Sequence, residues 1–263
     1  MRSESLDELS GSPGKLDFGY SWVWTYGHLV LLVPFLALAG VAWLLGAPAW
    51  LMVVLLVPAG WAIFGFVIMR FVANFNALPE VPASDYLRDG TGDVLDLGCG
   101  LGRATIMVAL ARPTTRITAV DNFSASYIKD HGEAPLARNL RIAGVAQRVT
   151  VREGDLLQLP FEDETFDALV SSFAIDHTAD VARALAEAKR VLRPGGQFLL
   201  LSSVASVRMV IAMLPLYIMN WGHVRTRGDW QRELKAAGFT LDDEGPLRTH
   251  GWFLMSRPPA SAI

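Results

Sequence analysis

From Phe18 to Met69 the chain carries no Asp, Glu, Lys or Arg, and His28 is the one histidine there. A soluble core rarely accommodates so long an uncharged run, whereas hydrocarbon demands one. Two apolar runs, roughly His28 to Leu45 and Ala49 to Met69, are separated by Gly46-Ala47-Pro48. Each is near the ~20 residues with which a helix crosses about 30 Å of hydrocarbon, and the break between them reads as a tight turn. Trp22, Trp24 and Tyr26 precede the first run, and Trp43 and Trp50 flank the turn, positions that suit the headgroup zone. Pro34 and Pro58 are tolerable inside such helices. The apolar region starts late, occurs twice and lacks a basic lead-in, which argues against a cleaved signal peptide. The competing reading is a hydrophobic hairpin buried in a soluble oligomer.

The next constraint is Asp93 to Arg103, DVLDLGCGLGR. Val94, Leu95 and Leu97 around Asp96 suit a buried parallel strand, and Gly98, Gly100 and Gly102 form a turn into a helix. Such a turn needs residues without Cβ, because the backbone bends sharply and a ligand touches it. The helix that follows turns unpaired N–H groups toward that ligand. A dinucleotide fingerprint requires G-x-G-x-x-G, and its last position here is Arg103. The spacing G-x-G-x-G instead resembles motif I of the class I methyltransferases that use S-adenosylmethionine.

Later segments bear on the same resemblance. Arg116 to Val120 is a short strand ending in Asp121, about twenty residues past the glycines, where a carboxylate can accept from two ribose hydroxyls. Asn122 and Phe123 follow, where an aromatic or apolar side chain can pack on adenine. Arg148 to Arg152 is a strand that leads into Gly154-Asp155. In the family the acidic residue of that pair lies at the adenine amino group, which implies this role for Asp155, with Leu156 beside the ring. Phe166 to Ser171 is a fourth strand, with Ser172 at the carboxyl edge where ligands bind. A helix from Ala179 to Leu192 ends at Arg193-Pro194-Gly195-Gly196, a stop before the strand Gln197 to Leu201. Asp229 to Gly238 is a further helix, followed by two strands over Phe239 to Glu244 and Gly251 to Ser256. These pieces occur in the family's order, so the fold implied is a Rossmann-like class I α/β sheet of seven strands, the last antiparallel, with two N-terminal transmembrane helices. The implied cofactor is S-adenosylmethionine, held by Asp96, Gly98, Cys99, Gly100, Gly102, Asp121, Asn122, Phe123, Asp155, Leu156 and Ser172.

Composition bounds the partners. A net charge of −3 disfavours a nucleic-acid partner. Cys99 is the single cysteine, so the chain can form neither an internal disulfide nor a cysteine metal cluster. It reads as a small filler beside the cofactor, with a reactive role as the alternative. No metal is expected, because a sulfonium leaving group needs chiefly positioning and deprotonation.

Asp176 and His177, directly after the fourth strand, are the candidate catalytic pair, His177 as general base because imidazole changes state near neutrality. A structural or substrate-binding role for His177 is equally open. Val204 to Trp221 is an apolar insertion with one charge, Arg208. A third crossing would put the rest of the fold on the wrong side of the bilayer, so a membrane-lying helix or cover over the acceptor pocket is expected, with a packed subunit interface as the bland alternative. Phe173, Arg208, Tyr217 and His223 are candidate acceptor contacts.

The expected organisation is a flexible tail (1–17), a transmembrane hairpin (18–70), a connector (71–91), a methyltransferase domain (92–257) with a substrate-side insertion (204–227), and a C-terminal tail (258–263). The domain needs a cytosolic cofactor, so it and both termini are expected in the cytoplasm. The expected function is methyl transfer to a small or lipophilic acceptor at oxygen, nitrogen or sulfur. Alternatives are carbon methylation, as of a quinone, a membrane-attached dinucleotide oxidoreductase and a non-catalytic cofactor sensor. Gly40, Gly46, Gly60 and Gly65 permit close helix approach, hence homo-oligomerisation.

Overall fold

The computed structural model describes residues 15–20, 22–74, 76–124, 132–214, 225–248 and 250–259. They fall into two compact units, one made of residues 1–19, 76–204 and 225–263, the other of 20–75 and 205–224.

The second unit is built on two apolar helices, α1 (Trp22–Leu44) and α2 (Ala49–Val67). Gly46 takes the left-handed φ of 68° and donates to Trp43 O, while Ala47 donates to Ala42 O, so the turn satisfies the last carbonyls of α1. α2 continues as a π-helical stretch, Ile68–Ala73, and stops at left-handed Asn74. At 1.5 Å per residue, the 23 residues of α1 rise about 34 Å. The side chains are arranged inside out relative to a soluble hairpin. Val33, Leu38, Val41, Val53 and Val57 are exposed, whereas Ala39, Ala42, Ala59, Ala62 and Gly65 are buried. Small residues at the seam and large apolar ones outside is the pattern of helices packed in lipid. Both helices are long and apolar enough to cross a membrane.

The first unit is a seven-stranded sheet of order β3-β2-β1-β4-β5-β7-β6. Its strands are β1 (Asp93–Leu97), β2 (Arg116–Asp121), β3 (Val149–Glu153), β4 (Phe166–Ser172), β5 (Leu192–Ser202), β6 (Thr240–Leu247) and β7 (His250–Ser256). The first five are parallel, and β7 is antiparallel to β5 and β6. The intervening helices are α3 (Arg103–Ala111), α4 (Glu133–Ile142), α5 (Val181–Val191), α6 (Val207–Ala212) and α7 (Arg227–Ala236); α6 belongs to the hairpin unit. α5 carries Val181, Ala184, Leu185, Ala188 and Val191 at helical spacing, and that face packs with Trp230 and Leu234 of α7 on Leu95, Leu169, Phe198 and Phe253 of the sheet. Thr226 and Asp229 form a capping box that fixes the start of α7.

The expected stop at Arg193-Pro194-Gly195-Gly196 lies inside β5. Leu192 already pairs with Phe166, and the register then jumps to Ala168 opposite Gln197. The extra residues bulge out, held by Gly195 N to Arg257 O and Arg257 N to Gly196 O. Residues 15–17, expected as part of a mobile tail, and 18–19, expected to begin the hairpin, are docked on the sheet unit. Leu16 and Phe18 are buried, and Asp17 exchanges two hydrogen bonds with buried Asn139 of α4, its N–H donating at 3.2 Å and its carbonyl accepting at 2.7 Å.

Candidate active site

The register places the ends of four strands side by side. Leu97 pairs with Val120 and with Ser171, and Asp121 with Glu153. The segments leaving these strands, Gly98–Gly102, Asp121–Phe123, Gly154–Leu156 and Ser172–His177, therefore meet at the carboxyl edge, where the strand order reverses between β1 and β4.

The glycine turn is held by backbone bonds. Gly98 N and Cys99 N both donate to Val120 O, at 2.9 and 3.1 Å, and Gly102 N donates to Cys99 O. Gly98, Gly100 and Gly102 have φ values of 74°, 50° and 86°, the left-handed region that favours glycine. At Gly98 the requirement is also steric, since a Cβ there would lie 2.1 Å from Ala174 Cβ. The turn after β4 thus rests directly on the glycine loop. Asn139 adds a further tie, donating to Leu101 O at 2.8 Å.

Asp121 faces this loop. One carboxylate oxygen accepts from Gly100 N at 2.7 Å and the other from Phe123 N at 2.7 Å. A carboxylate has about four lone-pair sites, so the pair of oxygens keeps capacity for a vicinal diol. Gly154 N donates to Asp121 O, and Asp155 accepts from Leu157 N in a tight turn. That turn brings a Leu156 methyl within 3.5 Å of where a Gly98 Cβ would sit. Asn122 is exposed and Phe123 half-buried, the latter at a left-handed φ of 50°.

Asp96 is fully buried in β1. Thr105 Oγ donates to its Oδ2 at 2.5 Å, and Oδ1 has no protein partner. Burial above all, with the neighbouring Asp121 charge adding, raises the Asp96 carboxyl to about 7 against the Thr105 hydrogen bond. Buried Cys99 has its thiol pushed well up, by burial first and then by Asp96 and Asp121. That is the opposite of what a nucleophilic thiol needs, and it favours the filler reading.

Past β4, the Ser172 hydroxyl is buried without a protein partner, as is that of Ser202 at the end of β5. Asp176 lies in a 3-10 turn, Ile175–His177; one of its oxygens accepts from Ser203 N at 3.3 Å, and the other is buried and unpartnered. Asp176 thereby joins the exits of β4 and β5. His177 is exposed on that turn. Phe173, at φ 55°, is buried. Its ring meets the His250 ring edge-on at 4.5 Å, and the Arg103 guanidinium lies 5.7 Å from its centre. Burial first, then Arg103 and Arg248, lowers His250 to about 3, so it is neutral at physiological pH. Arg208 is exposed on α6 in the hairpin unit. Tyr217 and His223 lie outside the described residues.

Thr105, Asn139, Ala174 and His250 were not singled out from sequence. Asn139 had a signal, since it falls on the buried Leu136–Leu140 face of α4, where an amide needs partners.

The chemistry of this sheet edge fits an adenosine cofactor with a cationic end. It offers a paired carboxylate beside the glycine loop, a loop that tolerates no Cβ at Gly98, and a buried carboxylate with one unused oxygen. A methyltransferase-domain family model matches residues 95–200. Among curated proteins, the demethylmenaquinone methyltransferase of Thermobifida fusca is 40% identical over 108 residues, 41% of this chain and 42% of that one. The dimethylglycine N-methyltransferase of Parasynechococcus marenigrum is 36% identical over 124 residues, 47% of this chain and 41% of that one. The chain thus spans less than half of either relative. A solved structure of a geranyl diphosphate methyltransferase in complex with S-adenosylmethionine superposes with a TM-score of 0.51 at 16% identity, over 64% of this chain and 79% of that one, a likeness of fold. The chain therefore carries a class I S-adenosylmethionine-dependent methyltransferase domain, preceded by two apolar helices long enough to form a membrane hairpin.

Proposed function

We propose that this protein is an integral membrane methyltransferase that methylates a small or lipophilic acceptor at oxygen, nitrogen or sulfur, with its catalytic domain and both termini in the cytoplasm. The observation that carries this reading is the grouping of residues 205–214, which follow the carboxyl end of β5, with the apolar hairpin. In this fold the exits of the strands hold the ligands, so a segment leaving β5 for the hairpin unit connects the acceptor side to the membrane.

In the proposed site Asp121 receives the ribose hydroxyls, Asn122, Phe123 and Leu156 flank the adenine, and Asp155 takes its amino group. Asp96, Gly98, Cys99, Gly100, Gly102 and Ser172 hold the remainder. When bound, S-adenosylmethionine supplies a methyl group on a cationic sulfur that departs as a neutral thioether. His177 accepts the proton that an oxygen, nitrogen or sulfur nucleophile gives up, and Asp176 steadies the turn that carries His177. Phe173 walls the acceptor side, and Arg208, Tyr217 and His223 contact the acceptor. Gly40 and Gly60, with nothing within 4 Å of a Cβ built on either, offer surfaces for self-association of the hairpin.

Carbon methylation of a quinone-type ring is the second reading, favoured by the similarity to a demethylmenaquinone methyltransferase. Native membrane lipids and small-molecule extracts, incubated with the full-length protein and methyl-labelled cofactor, test both by mass spectrometry. A labelled lipophilic product supports the proposal, and the labelled atom separates the readings. Labelling confined to water-soluble polymers, or none with cofactor bound, refutes it.

A further inference from the structure

The short helix after β5 has its end met by the hairpin in a specific way. α6 starts at Ser206, whose hydroxyl accepts from Met209 N. Met209 and Ala212 are buried against Ile68, Met69 and Ala73, with Phe64, Val72 and Met213 around them. A helix of six residues leaves its last carbonyls without helical partners. Two of these are taken by hairpin side chains. The Trp61 indole N–H donates to Ile211 O at 2.6 Å, and His28 Nε2 donates to Ala212 O at 2.8 Å. The two rings lie 5.3 Å apart, and the His28 ring sits where a Cβ on Gly65 would come within 2.1 Å of it.

On a wet surface water satisfies such carbonyls, and no indole or imidazole is needed. In hydrocarbon each unmet carbonyl costs several kcal/mol, and partners must come from the protein. The outward residues agree, because Val207, Ile211 and Leu214 are 76%, 45% and 42% exposed. No charge occurs from Met209 to Leu214, while Arg208 is exposed near the start of the helix. α6 belongs to the same unit as α1 and α2, whose outward residues are likewise apolar and exposed.

We propose that residues 207–214 are embedded in the bilayer, in contact with acyl chains and latched to the hairpin by His28 and Trp61. Arg208 reaches back to the lipid headgroups. The inference rests on the hairpin's being membrane-inserted. It makes the hairpin more than an anchor, since only residues 203–206 separate this element from β5.

The test uses the full-length protein in vesicles of equal parts phosphatidylcholine and phosphatidylglycerol. Single cysteines at Ile211, Leu214, Val57 and Asp243 carry a nitroxide; buried Cys99, with its thiol pushed up, stays unlabelled. Collision with oxygen is expected to exceed collision with a nickel chelate several-fold at 211, 214 and 57, and the order to reverse at 243. The double variant His28→Leu, Trp61→Phe is expected to lower that ratio severalfold at 211 and leave it unchanged at 57. A water-like ratio at 211 with a lipid-like one at 57 overturns the inference and spares the hairpin reading. A water-like ratio at 57 removes the hairpin reading itself. An unchanged ratio at 211 in the double variant overturns the latch.

Discussion

Asp96→Asn isolates a buried charge in the proposed cofactor site. The carboxyl is fully buried, with one hydrogen bond to Oδ2 and none to Oδ1, and burial lifts it from 3.8 to about 7. Three pK units at ~1.4 kcal/mol each make the ionised form cost the folded state roughly 4 kcal/mol. The folded carboxyl binds its proton more tightly than the unfolded one, so its penalty is absent below pH ~4, grows as pH rises, and is complete above about 7. Asparagine keeps the shape and the Thr105 contact and removes this slope. A cationic ligand beside Asp96 favours the carboxylate. At pH 7, where about half the ligand-free carboxyls hold a proton, binding S-adenosylmethionine should release roughly half a proton per site, and the Asn variant none. Titration calorimetry in buffers of different ionisation enthalpy counts the protons, and urea unfolding at about pH 5 and pH 8 measures the slope. Equal release from wild type and variant, or parallel stability curves, would refute the argument.

Gly98→Ala puts a Cβ against Ala174 at a left-handed position. It should cost about 2 kcal/mol of stability and weaken S-adenosylhomocysteine binding by at least ~10-fold, or ~1.4 kcal/mol, as equilibrium dialysis would show. Asn139→Ala removes bonds to Asp17 and Leu101; a loss of about 2 kcal/mol in chemical denaturation should accompany faster hydrogen exchange at residues 16–19. His250, lowered from 6.5 to about 3, should show no ring titration by NMR between about pH 5 and pH 8. Its contribution to stability is present above 6.5 and lost as pH falls toward 3, because only the unfolded ring takes up a proton in that range.

The parts legible in sequence are those whose evidence is local. Asp121 stands out because a strand, a polar end and a fixed distance from the glycines all lie within one stretch, and the structure brings it 2.7 Å from Gly100 N. The hairpin is equally plain, since an uncharged run needs no tertiary context. Asn139 is different, because its partners lie 38 and 122 positions away. His250 opens an apolar strand with nothing nearby to mark it. The Pro-Gly-Gly stretch misleads because its local propensity is to stop, while Phe166 of β4 and Arg257, just past β7, fold it into a bulge. The strap at residues 15–19 escapes for a related reason: polar Asp17 masks the buried Leu16 and Phe18 on either side.

These differences divide the molecule unequally. The residues proposed to hold the cofactor come from the exits of β1 to β4, within the span that the family model matches. The candidate acceptor contacts are spread wider: Phe173 follows β4, and Arg208 belongs to the hairpin unit. The two curated relatives align over less than half their lengths, yet their names give a quinone precursor and an amino-acid derivative as acceptors. Under the proposed function, selectivity for the acceptor resides largely outside the span that the family model matches. In this chain the sequence after β5 and the apolar helices are the material available for that task. A substitution at His28 or Trp61 should consequently alter acceptor use before it alters cofactor affinity, whereas one at Asp121 should do the reverse.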